Sequence, residues 1–306
     1  MTFNPPTTPR WAGFLTLTLV ASFCLSAQAR QQIDESREAN ADARIHFTAV
    51  TGNFDIVGHD DNSFRLEGQL GDDVEELIIT GGPDDWRIEL EPKDGNYNWR
   101  DSVSSSDLTL YVPVAAEVRA GVVSADLQVE NLLGARVEVA TVSGNIDLDN
   151  VLPERLDAKT VSGDLYVEGG GQSDSSLASV SGDVEATELR GRISVESVSG
   201  DVTIEAFDVS DLEAQSVSGD LVLNISPLDR ATLDLSAHSG DIELVLPATT
   251  QMDLEANTFS GDLNNAFGGD VIERAGPGEE MMLIDGNGGV RIKAQTFSGE
   301  LNIERQ

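Results

Sequence analysis

The chain has 306 residues, with 54 Asp and Glu against 19 Lys and Arg, for a formal net charge of −35. That charge argues against nucleic acid and anionic membrane surfaces as partners and leaves cations and cationic surfaces electrostatically admissible; its plainest service is to keep the protein dispersed. The one cysteine, Cys24, leaves no disulfide framework, so stability has to come from packing and hydrogen-bond ladders.

Residues 1–29 read as a secretory signal peptide. Arg10 supplies the positive charge, Trp11 to Leu25 the apolar core, and Ala27-Gln28-Ala29 an A-x-A cleavage site. The apolar run is too short for a lasting membrane span. Phe23, before Cys24, is not the small residue that a lipid-anchored cysteine wants, so cleavage after Ala29 is expected. No later stretch is apolar enough to cross a bilayer as a helix, and no stable membrane span is expected after cleavage. The protein is read as exported to the periplasm, the cell surface or the medium of a Gram-negative-type bacterium.

Residues 30–44 are polar and read as a loose leader. From Ile45 and Phe47 onward apolar residues alternate, again at Phe54 and Ile56, Phe64 and Leu66, Leu77 and Ile79, and Trp86, Ile88 and Leu90, with Gly, Asp and Asn turns between them. Period-two alternation with such turns predicts strands, and 45–117 reads as a β-rich N-terminal cap region. Thr51-Gly52-Asn53 already looks like a degenerate copy of a turn that recurs later. Residues 91–107 read as a loop, followed by a strand at Leu108 to Val112 that Pro113 stops.

From 118 to 306 a single phrase returns: a β-branched or aromatic residue, then Ser-Gly-Asp, then alternating apolar residues. Its glycines are Gly144, Gly163, Gly182, Gly200, Gly219, Gly240, Gly261 and Gly299, with Ala125 in an imperfect first copy. The intervals run 19, 19, 19, 18, 19, 21, 21 and 38, the last being twice 19. Repetition near 20 residues is the mark of a solenoid. The seventh and fifth residues before each Gly and the second after it are apolar in nearly every copy: Val137, Val139 and Ile146, then Leu156, Ala158 and Leu165. The fold class expected is all-β: a parallel β-solenoid, single-stranded and β-helix-like, of about 19-residue coils with a β-rich N-terminal cap. Stacking coils about 4.8 Å apart lets each strand pair with its copies and bury an apolar face that one coil cannot bury alone. Gly tolerates a positive φ at the corner, and Ser and Asp can bond the turn's freed N–H groups. The longer coils near Pro227 and Pro247 place their extra residues after the second strand, and 264–288 forms either an irregular coil or a loop excursion.

Repeated Val-Ser-Gly-Asp with apolar alternation, after a dilute β region ending in Leu108-Thr109-Leu110-Tyr111-Val112-Pro113, resembles the bacterial putative adhesin family. The resemblance spans most of 45–303. It implies an exported parallel β-repeat fold, known largely as a domain of unknown function, and it brings no catalytic residues.

The residue after each corner Gly forms a column whose candidates for holding a metal are Asp164, Asp183, Asp201, Asp220, Asp241 and Asp262, with Asn145 at its start. Stacked carboxylates about 4.8 Å apart repel by roughly 3.5 kcal/mol at an effective dielectric of 20 but by only about 1 kcal/mol in water. The column must therefore face solvent, be bonded by turn N–H groups, or hold cations. Ca²⁺ is the one cofactor it admits; turn capping ranks ahead of it, and the expectation is no cofactor. Six Lys and Arg of the repeat (Arg136, Arg155, Lys159, Arg190, Arg192 and Arg230) do not align in one column, which sets a lyase back. His59-Asp60-Asp61 reads as a turn and His238 as a packed ladder residue. Tyr97, Trp99 and Arg100 could stack on a sugar ring or anchor a partner, or, with Trp86, cap the solenoid's open end.

No catalytic constellation is found and the protein is read as no enzyme. The expected role is a non-catalytic envelope or surface protein, an adhesin-like scaffold presenting a solenoid face to an envelope protein or a glycan. Two alternatives stand behind it. One is a polysaccharide lyase or hydrolase on a β-solenoid. The other is a self-assembling envelope polymer, because the chain stops just after Leu301-Asn302-Ile303 and an open last coil would permit self-association.

Overall fold

A computed structural model of the chain describes residues 31–93, 105–169, 174–269, 271–273, 278–284 and 289–306. Residues 1–29, expected as a signal peptide, and the Tyr97 to Arg100 stretch lie outside the described residues. The first strands in chain order are β1 (Gln31–Glu38), β2 (Arg44–Thr48), β3 (Thr51–His59), β4 (Ser63–Leu70), β5 (Val74–Gly82), β6 (Asp85–Pro92), β7 (Ser106–Pro113) and β8 (Glu117–Gly121). Then come β9 (Ser124–Leu132), β10 (Arg136–Ser143), β11 (Ile146–Val151), β12 (Arg155–Ser162), β13 (Leu165–Glu168), β14 (Asp174–Ser181), β15 (Val184–Ser199) and β16 (Val202–Ser218). The last are β17 (Leu221–Ser239), β18 (Ile242–Leu246), β19 (Met252–Ser260), β20 (Leu263–Asn265), β21 (Val271–Glu273), β22 (Glu279–Ile284), β23 (Val290–Ser298) and β24 (Leu301–Arg305). No helix occurs among the described residues, and none there could cross a membrane.

Two parallel ladders run the length of the molecule, one from the strands before each Ser-Gly-Asp corner and one from the strands after it. In the first, Val137 pairs with Leu156, Leu156 with Ser175, Ser175 with Ile193 and Ile193 with Leu212. In the second, Leu127, Ile146, Leu165, Val184 and Val202 stack in the same way. These side chains alternate inward along each strand and meet in one buried core that runs from Ile33 to Ile303. A slip of one residue would turn every apolar side chain outward, so the core itself holds the register. The extra residues near Pro227 bulge between the pairs Val209–Pro227 and Asp211–Thr232.

Space and chain order part company at both ends. The coil of β2 and β3 lies between β6 and β7 on one side and β8 and β9 on the other. Its Thr51-Gly52-Asn53 corner pairs with Ser124, Ala125 and Asp126, so the cap region expected for 45–117 contributes true coils to the stack. At the far end, β23 pairs with β17 and with β19, and β24 pairs with β18 and with β20. The final stretch of chain is thus the penultimate coil. The open last coil expected from the sequence is not found at β24, whose two edges are both taken, because the register lets the last repeat slot between two earlier ones.

Each end carries antiparallel strands. β1 pairs with β4 and β4 with β7, β5 covers β6, β22 covers β19, and β21 pairs with β22. Residues 31–38, expected as a loose leader, are therefore an edge strand whose one deeply buried apolar residue is Ile33. The excursion at 264–288 holds the antiparallel pair β21 and β22 instead of a coil. Covering a parallel edge in this way leaves less free backbone for another chain to pair with.

Candidate functional site

The corner that repeats along the molecule is built by three side-chain columns and a glycine. The glycine is required twice over. Gly182 has φ +158° and Gly144 φ +136°, a region that L residues rarely enter. A Cβ on Gly182 would lie 2.1 Å from the carbonyl oxygen of Gly163, and one on Gly163 would lie 2.0 Å from that of Gly144. Coil stacking, as much as the turn, admits only glycine here.

Next to it runs the Asp column. The N–H of Asp183 donates to Oδ1 of Asp164 at 3.0 Å, that of Asp201 to Asp183 at 2.9 Å, and that of Asp220 to Asp201 at 2.9 Å. Asp241 donates to Asp220 and Glu300 to Asp241 at 2.8 and 2.7 Å. Asn145 takes part through the same atom, accepting from the N–H of Asp164 at 2.9 Å. Asp262 joins the row through its backbone carbonyl, which accepts from Leu301. The ladder therefore needs a side-chain oxygen and not a charge. Its field is felt nearby: the Asp164 carboxylate pushes the Tyr166 hydroxyl above its ordinary pKa. No group of three or more His, Cys, Asp or Glu arranged to hold a metal ion occurs among the described residues.

The corner hydroxyls divide into two rows. Ser162, Ser181, Ser199 and Ser218 of the Ser-Gly-Asp phrase are exposed. Two residues before each of these sits a buried Thr or Ser, a row that sequence reasoning missed. Thr141 Oγ1 donates to the Ala125 carbonyl at 3.3 Å, and Thr296 and Thr258 donate to Gly240 and Gly299 at 3.1 and 3.3 Å. The signal was Thr141, Thr160, Ser179, Ser197 and Ser216 recurring at the spacing of the corner. A second corner was also missed, where Asn131, Asn150 and Glu188 hold φ of +57°, +51° and +62° and Gly169 +80°. The Asn150 amide donates to Asn131 Oδ1 at 2.7 Å. Asn, Asn and Gly at 19-residue steps marked that left-handed turn.

The third column is the first residue of the phrase, and it faces water. Val123, Val142, Val161, Val180, Val198, Val217, Phe297 and Phe259 are each 44–49% exposed, and exposed His238 lies between Val217 and Phe297. His238 and Phe297 stack with centroids 5.0 Å apart, Phe297 and Phe259 at 4.7 Å. The ladder role expected of His238 is met on the outer surface and not in the core. The result is an apolar stripe, with His238 as one polar rung, at the corner that carries the acid ladder. A contiguous exposed stripe of this kind marks an interaction surface far more often than scattered single residues do.

The other candidates fall into place around it. Arg136, Arg155, Asp174, Arg192 and Asp211 share one column: the 18- and 19-residue offsets bring three of the repeat's six named cations into register, while Lys159 lies outside it. Two of the three face Asp174, with Arg155 at 3.1 Å and Arg192 at 3.2 Å; Arg136 reaches Glu138 at 3.2 Å. His59 accepts at Nδ1 from the N–H of Asp61 at 3.0 Å, as a turn histidine does. Trp86 packs edge-on against Phe64 at 5.2 Å and donates to the Glu38 carbonyl, closing the N-terminal end.

A family described as Toastrack DUF4097 matches residues 67–231 and 192–304. Among curated proteins none matches. Three solved structures resemble the chain. A protein of Parabacteroides distasonis described as a putative lipid binding protein is 14% identical, covering 89% of this chain and 96% of that one at a TM-score of 0.46. A putative adhesin of Bacteroides fragilis is 12% identical over 90% and 98%, at 0.39. A putative cell adhesion protein of Clostridium sporogenes is 8% identical over 90% and 100%, at 0.29.

Proposed function

The chain belongs to the Toastrack DUF4097 family, and from that premise we propose that it is an exported, non-catalytic, adhesin-like scaffold that presents its solenoid surface to an envelope protein or glycan. The observation that carries this reading is the apolar stripe, whose rungs from Val123 to Phe259 remain nearly half exposed among the described residues. Alternation would have let polar residues stand at those positions at no cost to the core. Each Asp from Asp164 to Asp241 accepts the next backbone N–H on a side-chain oxygen, so the reading includes no resident metal. Melting in millimolar Ca²⁺ should then match melting in Na⁺ at equal ionic strength.

The test replaces Val161, Val180 and Val198 with Ser, all three outward-facing, so the variant should fold. Immobilised wild-type chain should retain an envelope protein or polysaccharide that the triple variant releases. Equal retention by both overturns the stripe as the contact surface. Appearance of new reducing or unsaturated sugar ends would identify an enzyme and overturn the scaffold.

A further inference from the structure

The stripe and the acid ladder flank the same exposed corner, three residues apart in each coil, and their combination narrows the partner's chemistry. We infer that the stripe receives a cationic amphipathic helix lying along the solenoid axis, an inference that rests on the scaffold reading above. Three residues beyond each stripe valine except Val142, which Asn145 follows, stands an acid, as Asp164 follows Val161 and Asp183 follows Val180. Two residues before each valine the outward row is small or mixed in charge: Gly121, Ala140, Lys159, Ala178, Glu196 and Gln215. The partner must therefore carry an apolar row with cations along one flank, both on the same face.

An extended strand laid along the axis cannot do this. Its side chains alternate between faces, so it presents a single row to the surface. An α-helix places adjacent rows on one face, at one residue per row for each 5.4 Å turn, close to the rung spacing of about 4.8 Å. The six valine rungs span about 24 Å, the length of a helix of about 16 residues. A second copy of this chain is the wrong occupant, since with a net charge of −35 it would set one acid ladder against another.

The test uses the full chain and a fluorescent 18-residue Leu/Lys peptide designed as a helix with a Leu row beside a Lys row. The same residues in scrambled order serve as control. Anisotropy should report binding of the designed peptide, weakened at high salt, with the scrambled peptide at least about tenfold weaker. Asp164, Asp183, Asp201 and Asp220 changed together to Asn, which keeps Oδ1 for the ladder, should weaken binding about tenfold and flatten its salt dependence. Val161→Ser, Val180→Ser and Val198→Ser together should weaken it about tenfold at every salt concentration. Equal binding of the scrambled peptide, or wild-type affinity in either folded variant, overturns the inference. If the designed peptide never binds while the valine variant still releases the envelope partner, the helix assignment falls and the scaffold surface stands. If the envelope partner ignores the valines, the scaffold reading falls first.

Discussion

The tightest constraints in the molecule act at single residues. A methyl group on Gly182 would have to enter the carbonyl of the coil before it, whereas a Cβ on Gly121 would meet nothing within 4 Å. Gly182→Ala should therefore cost about 3 kcal/mol and Gly121→Ala about zero or a slight gain, read as a difference in urea midpoint. The ladder carboxylates pose a gentler question. Asp183→Asn keeps the acceptor for the Asp201 N–H and should stay within about 0.5 kcal/mol of wild type, while Asp183→Ala should lose about 1 kcal/mol in the same unfolding assay. Asp73 gives a pH signature. It is buried, its carboxylate accepts the Thr51 hydroxyl, and burial pushes its pKa above the usual range, with Lys93 working against the shift. The folded state then holds a proton that the unfolded chain releases, so this group's contribution is full below an unfolded pKa of about 3.9 and is lost as pH rises through the folded value. Asp73→Asn should melt above wild type at pH 7, with the gap closing toward pH 4.

At the scale of strands and coils, the spacing of the Ser-Gly-Asp phrase was enough to place the corners and both inward rows, because period-two alternation leaves one register that buries them. Gly52 could be recognised as a degenerate corner for the same reason. What spacing could not express was the order of coils in space. A parallel rung can pair with any copy of itself, so the corner spacing is the same for sequential stacking and for insertion. β1 carries Asp34, Glu35, Arg37 and Glu38 and buries little beyond Ile33, so its composition resembles a leader. Insertion has a measurable outcome. Removing residues 290–306 takes away the coil that ties β19 and β20 to β17 and β18. Hydrogen exchange in that variant should show protection lost throughout Met252–Asn265 and in β22, while β10 to β16 stay protected. Loss confined to the neighbours β17 and β18 would mean that β19 and β20 hold without the inserted coil.

Over the whole molecule, charge and hydropathy have separated onto different lines of one surface. The charge was legible from composition alone; the exposure of the valines was not. Val161 and Val180 belong to an apolar–polar pattern in which Thr160 and Ser179 occupy the buried places, so the usual rule of apolar inside and polar outside reverses at the last step before the corner. At Thr141, Thr258 and Thr296 of the same inner row the hydroxyl donates to a turn carbonyl, which gives a hydroxyl a use at that buried place. The acid row should make stability depend on ionic strength, because a Debye length of about 30 Å at 0.01 M spans several rungs and one of about 3 Å at 1 M spans none. Melting temperature should rise with NaCl by about 2–4 °C for each kcal/mol of repulsion relieved, and by less in the Asp164, Asp183, Asp201 and Asp220 to Asn variant. The interleaved ends have a consequence for descent. β23 and β24 are clasped between earlier coils, and β2 and β3 lie between neighbours on both sides, whereas the rungs from β10 to β16 stack in chain order and repeat one pattern. Unequal recombination there would add or remove one rung in frame, carrying a Val and an Asp together. Lineages could then differ in reach, as a ladder lengthened from its middle, while inheriting the same two ends.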